Sequence, residues 1–214
     1  MAIINQDEVG DRWKEIQQDI WECTDCNNIA RVELNIHQQT ELVPTRTKLL
    51  VVGIAPPHKE GVTKNIKAKS ATNDSEDNFR KFIEDTLEVS WDILSLHGLA
   101  FLHAVKCAIH PEDRHQNPPT GVVDKCAPQH FYREFSEIQP KTVISFGGIA
   151  RRAVLKMPGC QKPRELKLTG PCTGRYEMRI VSHSFSLFVA PFFSTDRNQA
   201  RDVLRNAAHH AGIK

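Results

Sequence analysis

The chain has 214 residues, of which 40% are hydrophobic and 25% charged, and its formal net charge is +2 at pH 7. This length and composition are sufficient for one globular core, so we expect a single domain over residues 1–214. The sequence has neither a basic leader nor an apolar run of membrane-spanning length, which predicts a soluble, cytoplasmic protein. Its six cysteines are then not those of a small secreted disulfide-bonded protein.

The spacing of apolar residues predicts helices and strands that alternate along the chain. Helical spacing recurs at residues 11–23, 79–87, 131–138, from 149 onward, and 198–211. Five runs have the apolar character of strands: residues 48–52, 102–105, 142–146, 177–181 and 186–190. A polar segment over residues 58–77 predicts a long surface loop. Alternating strands and helices indicate a three-layer α/β/α sandwich with a central, largely parallel sheet.

Three residues mark the predicted carboxyl ends of the strands. Gly53 follows the first strand, His103 belongs to the second, and Gly147 follows the third. Ligands of open parallel sheets bind outside the carboxyl ends of the strands. We therefore expect Gly53, His103 and Gly147 to lie at the functional site.

Positive charge is concentrated in residues 151–179. The segment has eight basic and two acidic residues, a net charge of +6, although the whole chain is nearly neutral. A local basic patch can bind phosphates. The alternative interpretation is a solvated loop and helix face with no partner.

Four cysteines are spaced as the ligands of one metal centre. Cys23 and Cys26 form a close pair, 80 residues separate Cys26 from Cys107, and 18 separate Cys107 from Cys126. The pair places two sulfurs on one tight turn, and the fold must supply the other two. The spacing favours an iron-sulfur cluster, since structural zinc sites more often use two close pairs. Zinc accepts the same four thiolates, and unrelated structural thiols are the third interpretation.

Several short motifs follow one another in a specific order. They are Trp21-Glu22-Cys23-Thr24-Asp25-Cys26, the loop Val51–Pro57, Val105-Lys106-Cys107, Cys126, and Pro140–Ala150. Their order resembles the iron-sulfur branch of the uracil-DNA glycosylase superfamily, often called families 4 and 5, over about residues 20–210. The resemblance implies a four-stranded, largely parallel central sheet and a [4Fe-4S] cluster on Cys23, Cys26, Cys107 and Cys126. It also implies a DNA glycosylase that acts on a flipped nucleotide.

The chain departs from this family at two sites, the first loop and the base pocket. Ile54 stands directly after Gly53, where family 4 enzymes have an acidic residue, and Glu60 is one possible substitute. His103 stands where the family reads uracil with Asn, four residues before Cys107. The usual Pro-Phe-Val stacking segment is not found between residues 61 and 79.

A third departure concerns the late His-Pro motif of the family. It aligns with Ala190-Pro191, which Phe192-Phe193-Ser194 follow. An alternative alignment with His183-Ser184 would retain a histidine.

The resemblance and the residue chemistry together give the catalytic candidates His58, Glu60, His103 and Asp196. His103 would donate to a carbonyl of the base or stabilise the leaving anion. His58 and Glu60 are the acid-base candidates of the first loop, and Asp196 is a further carboxylate after Pro191.

The candidates for base and DNA contacts are Gly53, Ile54, Ala55, Pro56, Pro57, Gly147, Pro191, Phe192, Phe193, Arg197 and Arg201. The first loop has little side-chain bulk, so its backbone is able to approach a flipped nucleotide. Phe192 and Phe193 match the position of a loop that wedges into DNA in the resembling family, with core packing as the alternative. Arg197, Arg201 and Arg205 share a helix face, for which phosphate contact and solvation are equal interpretations.

We expect a modified pyrimidine, rather than ordinary uracil, to be the excised base, in DNA repair or anti-phage defence. Loss of an aromatic wall makes room for a larger substituent, and a histidine can meet additional polar groups. The alternatives are a non-catalytic iron-sulfur DNA-binding protein, an enzyme whose cluster senses redox state, and a conventional uracil-DNA glycosylase. DNA is the expected partner, and no membrane or obligate protein partner is expected.

Overall fold

A computed structural model describes residues 6–26, 32–37, 47–55, 74–109, 118–167, 170 and 172–213. Within these ranges the helices are α1 (Gln6–Glu22), α2 (Asp74–Leu87), α3 (Trp91–Leu96), α4 (Thr120–Cys126), α5 (Tyr132–Ile138), α6 (Gly147–Leu155) and α7 (Arg197–His210). A π-helical turn, Ala127–Phe131, joins α4 to α5. The strands are β1 (Val32–His37), β2 (Leu49–Gly53), β3 (Leu99–His103), β4 (Cys107–Ile109), β5 (Thr142–Phe146), β6 (Gly174–Arg179) and β7 (Ser184–Ala190).

The central sheet has the strand order β3-β2-β5-β7-β6 within the described part of the chain. The first four strands are parallel, and β6 pairs antiparallel with β7 at one edge. The predicted α/β sandwich with a largely parallel sheet is confirmed, and the sheet has five strands rather than the four that the resemblance implied. A separate antiparallel pair is formed by β1 and β4.

Helices cover both faces of the sheet. Leu50 and Val52 of β2 pack on one face into a core that also contains Phe131 and Val154. Leu49 and Val51 point to the opposite face, where α2 and α7 contribute the other core. All five residues of β2 and of β5 are buried, because a parallel strand between two helical layers has no solvated face.

Some predicted boundaries differ from the observed ones. The second central strand is residues 99–103 rather than 102–105, because Ala104 and Val105 leave the strand and donate to the carbonyls of Gly53 and Ile54 (both 3.0 Å). The strand predicted at 177–181 is β6 at residues 174–179. Helix α6 begins at Gly147 itself. No helix in the described ranges is long and apolar enough to cross a membrane.

Candidate active site and cysteine centre

Four strand ends meet at one edge of the sheet. β2 ends at Gly53, β3 at His103, β5 directly before Gly147, and β7 directly before Pro191. These four strands are parallel, so their carboxyl ends lie on the same side of the molecule. The structure therefore brings together Gly53, His103, Gly147 and Pro191, as a ligand site of an open parallel sheet requires. We call this side the carboxyl edge.

Gly53 and His103 are paired across this edge. They are register partners in β2 and β3. A Cβ atom on Gly53 would lie 2.7 Å from Cζ of Phe101 and 3.5 Å from Cδ2 of His103. The missing side chain thus makes room for the ring of Phe101, which stands edge-on to the His103 imidazole at a centroid distance of 4.6 Å.

His103 is a buried, neutral imidazole. Its residue is 8% exposed. Burial lowers the pKa of His103 to about 3, with a further contribution from the positive charge of Lys106. A neutral imidazole carries one N–H donor and one nitrogen acceptor. His103 is therefore able to donate or accept a hydrogen bond near neutral pH, but it has no positive charge to offer.

Phe192 and Phe193 belong to a cluster of aromatic rings on the α2 and α7 side of the sheet. The rings of Phe79 and Phe192 are nearly parallel at 6.5 Å, and Phe82 and Phe193 are stacked at 5.2 Å. Gly147 has φ +82°, and a Cβ there would lie 3.5 Å from Cβ of Phe192. Both rings are partly buried against this core. The contacts favour the core-packing interpretation of Phe192 and Phe193 over a free wedge.

The four predicted ligand cysteines line one cavity. Its lining also includes Lys106, Lys125, Gln129 and His130. Cys26, Cys107 and Cys126 are buried, Cys23 is half-buried, and none of the four forms a disulfide with another described cysteine. The residues directly after α1 supply the first two sulfurs, β4 supplies the third and α4 the fourth.

The electrostatics of this cavity suit a bound cationic group. Burial, followed by the nearby thiolates of Cys126, Cys26 and Cys23, raises the pKa of Cys107. Burial also raises the pKa of Cys126 to about 12, although the Lys106 N–H donates to its Sγ (3.3 Å) and opposes this shift. Four thiols that repel one another when ionised would release their protons to a metal. The described residues contain no group of three or more His, Cys, Asp or Glu side chains arranged for a single metal ion.

Residues 40–205 match the family model described as the uracil DNA glycosylase superfamily. The chain belongs to the uracil DNA glycosylase superfamily. The match includes the whole carboxyl edge, Cys107 and Cys126, whereas Cys23 and Cys26 precede it. No curated protein matched the chain.

In this superfamily member, Asp196 has a clear structural task. Its carboxylate accepts a hydrogen bond from the backbone N–H of Gln199 (3.0 Å) and caps α7. A catalytic role for Asp196 stays a prediction.

The arginine face of α7 is directed toward α2. Arg197 lies 3.9 Å from the carboxylate of Asp85 and over the ring of Phe82. Arg205 donates to the carbonyl of Thr86 (3.3 Å), and Arg201, between them, is half-buried. Arg197 and Arg205 remain exposed beside these contacts, so phosphate contact by this face stays a prediction.

The basic segment 151–179 is only partly available to a ligand. Arg151 is buried at 3% exposure and donates to the carbonyl of Gly170 (2.8 Å). Arg152 makes two hydrogen bonds to Asp124 (2.9 and 2.7 Å). Arg164 and Lys167, in contrast, are exposed. The Arg151 guanidinium lies close to Gly148 at the start of α6, so its hydrogen bond holds Gly170 near the carboxyl edge.

The alternative late histidine lies at the other end of the sheet. His183 directly precedes β7, stacks on Phe135 at 5.4 Å, and contacts the carbonyl of Pro140 through Nε2 (3.2 Å). Pro140 likewise precedes β5. His183 therefore does not reach the carboxyl edge, and the alignment with Ala190-Pro191 agrees better with the fold.

The first loop is described only in part. Ile54 and Ala55 follow β2 and are partly exposed, whereas Pro56, Pro57, His58 and Glu60 lie outside the described residues. Sequence reasoning missed Phe101 at the carboxyl edge and Glu134 behind the cysteine cavity. Side chains alternate between the two faces of a strand, so Phe101 lies on the same face of β3 as His103. This spacing would have been enough to predict that Phe101 lies beside His103.

Proposed function

We propose that this protein is a monofunctional DNA glycosylase that hydrolyses the N-glycosidic bond of a flipped-out base and leaves an abasic site. One observation carries the proposal: the superfamily match extends over residues 40–205, which include every described strand end of the carboxyl edge. Within this edge, Gly53 makes room for the ring of Phe101, and His103 offers a fixed hydrogen-bonding group. Holding a flipped base by its edge requires such preorganised groups.

His103 would read the base as a neutral hydrogen-bonding group. One N–H would donate to an oxygen of the base and stabilise the negative charge that develops as the base departs. Its pKa of about 3 keeps the imidazole neutral near pH 7, so His103 would act through this hydrogen bond rather than as an imidazolium. His58 and Glu60 are the proposed groups that activate the water.

The proposed substrate is a modified pyrimidine, in DNA repair or in defence against phage DNA. An Asn amide has a donor and an acceptor on one planar group, whereas the two ring nitrogens of a histidine point apart. Replacement of the family's Asn by His103 therefore changes the set of base edges that the pocket can bind. Conventional uracil excision is the nearest alternative.

We also propose that Cys23, Cys26, Cys107 and Cys126 hold a [4Fe-4S] cluster. Four cysteines that converge on one cavity from three parts of the chain and form no disulfide with one another support this assignment. The cluster would supply a structural cross-link, and no redox step in base excision is assigned to it. The Lys106 N–H would remain on Cys126, since backbone donors to cluster sulfurs tune such centres.

An abasic-site assay tests the proposed activity. Purified protein is incubated with duplexes that contain uracil or 5-substituted pyrimidines, and strand breaks are measured after alkali treatment. We expect breaks at one or more modified pyrimidines, a strong reduction in His103→Ala, and no reduction in His97→Ala, whose histidine is exposed. Strand breaks at uracil alone would show that the excised base is uracil, the conventional substrate, and not a modified pyrimidine.

A second candidate is a non-catalytic DNA-binding protein of the same fold. Capping of α7 by Asp196 and packing of Phe192 and Phe193 into the aromatic cluster favour it, because these groups then have structural tasks. Binding to the same duplexes without any alkali-labile site would support this candidate and reject the enzyme.

A further inference from the structure

A buried ion pair lies directly behind the cysteine cavity. Nζ of Lys106 pairs with Oε2 of Glu134, and the two side chains are 5% and 1% exposed. Oε1 of Glu134 accepts a hydrogen bond from Nε2 of Gln17 (2.9 Å). The ammonium also lies 5.5 Å from the ring centre of Phe131. Residues from α1, the turn before β4, and α5 thus fix the position of one buried positive charge.

The pair is oriented toward the thiols. Lys106 lines the cavity together with the four cysteines, and its backbone N–H donates to Sγ of Cys126 (3.3 Å). Glu134 lies on α5 and is held from behind by Gln17 of α1. Lys106 is among the residues that line the cavity, whereas Glu134 is not. The cation therefore faces the sulfurs, and the anion stands farther away.

Stability alone does not account for this arrangement. A buried ion pair costs desolvation energy that its attraction at best roughly balances, and an apolar pair of similar volume is often as stable. The chain nevertheless buries an ammonium beside four thiols whose ionised form would carry four negative charges. A fixed cation at this place offsets such a charge, whereas an apolar residue would not.

We propose that Lys106, held by Glu134 and Gln17, is a positioning residue that balances the charge of the group bound by the four cysteines. This inference depends on the cysteine centre proposed above. The ammonium stabilises the more negative states of a thiolate-bound centre, and the Glu134 carboxylate limits that effect. The pair thereby sets both the retention of the bound metal and the reduction potential of a cluster.

The two members of the pair should act in opposite directions. Lys106→Met removes the positive charge at similar length, so we expect the midpoint potential to become more negative. Glu134→Gln keeps the shape and removes the negative charge, so the potential should become more positive. The double variant Lys106→Met/Glu134→Gln restores the charge balance and should return close to the parent, and Lys106→Arg should resemble the parent.

The experiment uses anaerobically purified full-length protein and combines a reductive titration with the rate of metal release to a chelator. Lys106→Met should release metal about 10- to 100-fold faster, the range found when residues that support metal ligands are changed. Arg133→Gln is the matched control. Arg133 pairs with Asp19 (2.6 Å) at an exposed place on the same two helices, α5 and α1.

The results separate this inference from the proposed cluster. Potential shifts of the same sign in both single variants, or release rates equal to the parent, would overturn the charge balance while the cluster remains. If the parent protein contains zinc in place of iron, the proposed cluster is rejected. The rates of zinc release from the variants would then test the charge balance. Parent protein without any bound metal would reject both. If Lys106→Met does not fold, Glu134→Gln and the double variant still decide the sign.

Discussion

At the carboxyl edge, the ring of Phe101 fills the space that a side chain on Gly53 would occupy. The ring of Phe101 reaches over the backbone of β2, and it does so only because residue 53 has no Cβ, which would stand 2.7 Å from Cζ. The same ring supports the His103 imidazole from the side. The position of His103 therefore depends on a glycine in the neighbouring strand.

We predict that Gly53→Ala destabilises the protein by about 1–3 kcal/mol, the usual effect of overpacking a buried contact. The free energy of unfolding, measured by denaturant titration, checks this value. Phe101→Leu should partly rescue the Gly53→Ala variant, because a smaller side chain makes room for the new methyl group. Gly121→Ala is the control, since that helical glycine is exposed and has nothing within 4 Å, so the change should stabilise by up to about 1 kcal/mol.

The buried neutral state of His103 predicts a pH dependence of stability. Its pKa of about 3 in the folded protein lies below the ordinary value of 6.5. The unfolded chain therefore binds a proton that the folded chain does not, and stability is lost as the pH falls below about 6.5. The maximum slope from this residue is about 1.4 kcal/mol per pH unit.

We expect His103→Asn to lose less stability than the parent between pH 6.5 and 4.5. Denaturant titrations at several pH values measure this difference, and His97→Asn provides an exposed control. Equal pH dependence in His103→Asn and the parent would mean that His103 is protonated in the folded protein.

Local sequence patterns were sufficient to predict several helices and strands of the fold. They were not sufficient to predict which residues contact one another at the site. The continuous apolar run of β2 and the helical spacing of α7 are local patterns, so both elements were predicted. The Asp196 cap was also visible, since an Asp three residues before Gln199 at a helix start is a common capping signal. The contact of Phe101 with Gly53 depends on the register of strands that are distant in the chain. The pairing of Lys106 with Glu134 likewise depends on how α5 packs beside the cysteine cavity.

Asp196 allows capping and catalysis to be separated by one substitution. We predict that Asp196→Asn retains stability within about 0.5 kcal/mol, because Asn is as good a cap as Asp, whereas Asp196→Ala loses about 1 kcal/mol. If the residue only caps α7, base excision by Asp196→Asn should equal that of the parent. A large loss of excision rate in the stable Asn variant would instead show that the carboxylate has a catalytic task.

The four cysteines of the cavity should differ sharply from the other two. We predict that each of four single substitutions removes bound iron and lowers the melting temperature, because each thiolate completes the metal centre. They are Cys23→Ser, Cys26→Ser, Cys107→Ser and Cys126→Ser. Cys160→Ser and Cys172→Ser are the matched controls and should retain the parent's iron content and brown colour. Iron analysis and visible absorption provide the measurement. Full iron retention in any of the four cavity variants would remove that residue from the ligand set.

Binding to DNA should depend on the exposed members of the basic segment and not on its buried ones. Arg164 and Lys167 are exposed, and they precede Gly170, whose carbonyl accepts a hydrogen bond from Arg151. We predict that Arg164→Gln and Lys167→Gln each weaken duplex binding and reduce the slope of log K against log salt by about 1, because each phosphate contact releases condensed counterions. Fluorescence anisotropy at several salt concentrations measures this slope.

Arg152→Gln is the informative comparison in that experiment. Arg152 donates two hydrogen bonds to Asp124. Its replacement by Gln should therefore lower the free energy of unfolding, and the slope of log K against log salt for DNA binding should stay unchanged. If Arg152→Gln reduced the slope while Arg164→Gln did not, the DNA would approach the α4 and α6 side of the protein. In that case the loop of Arg164 and Lys167 would not be part of the DNA-binding surface.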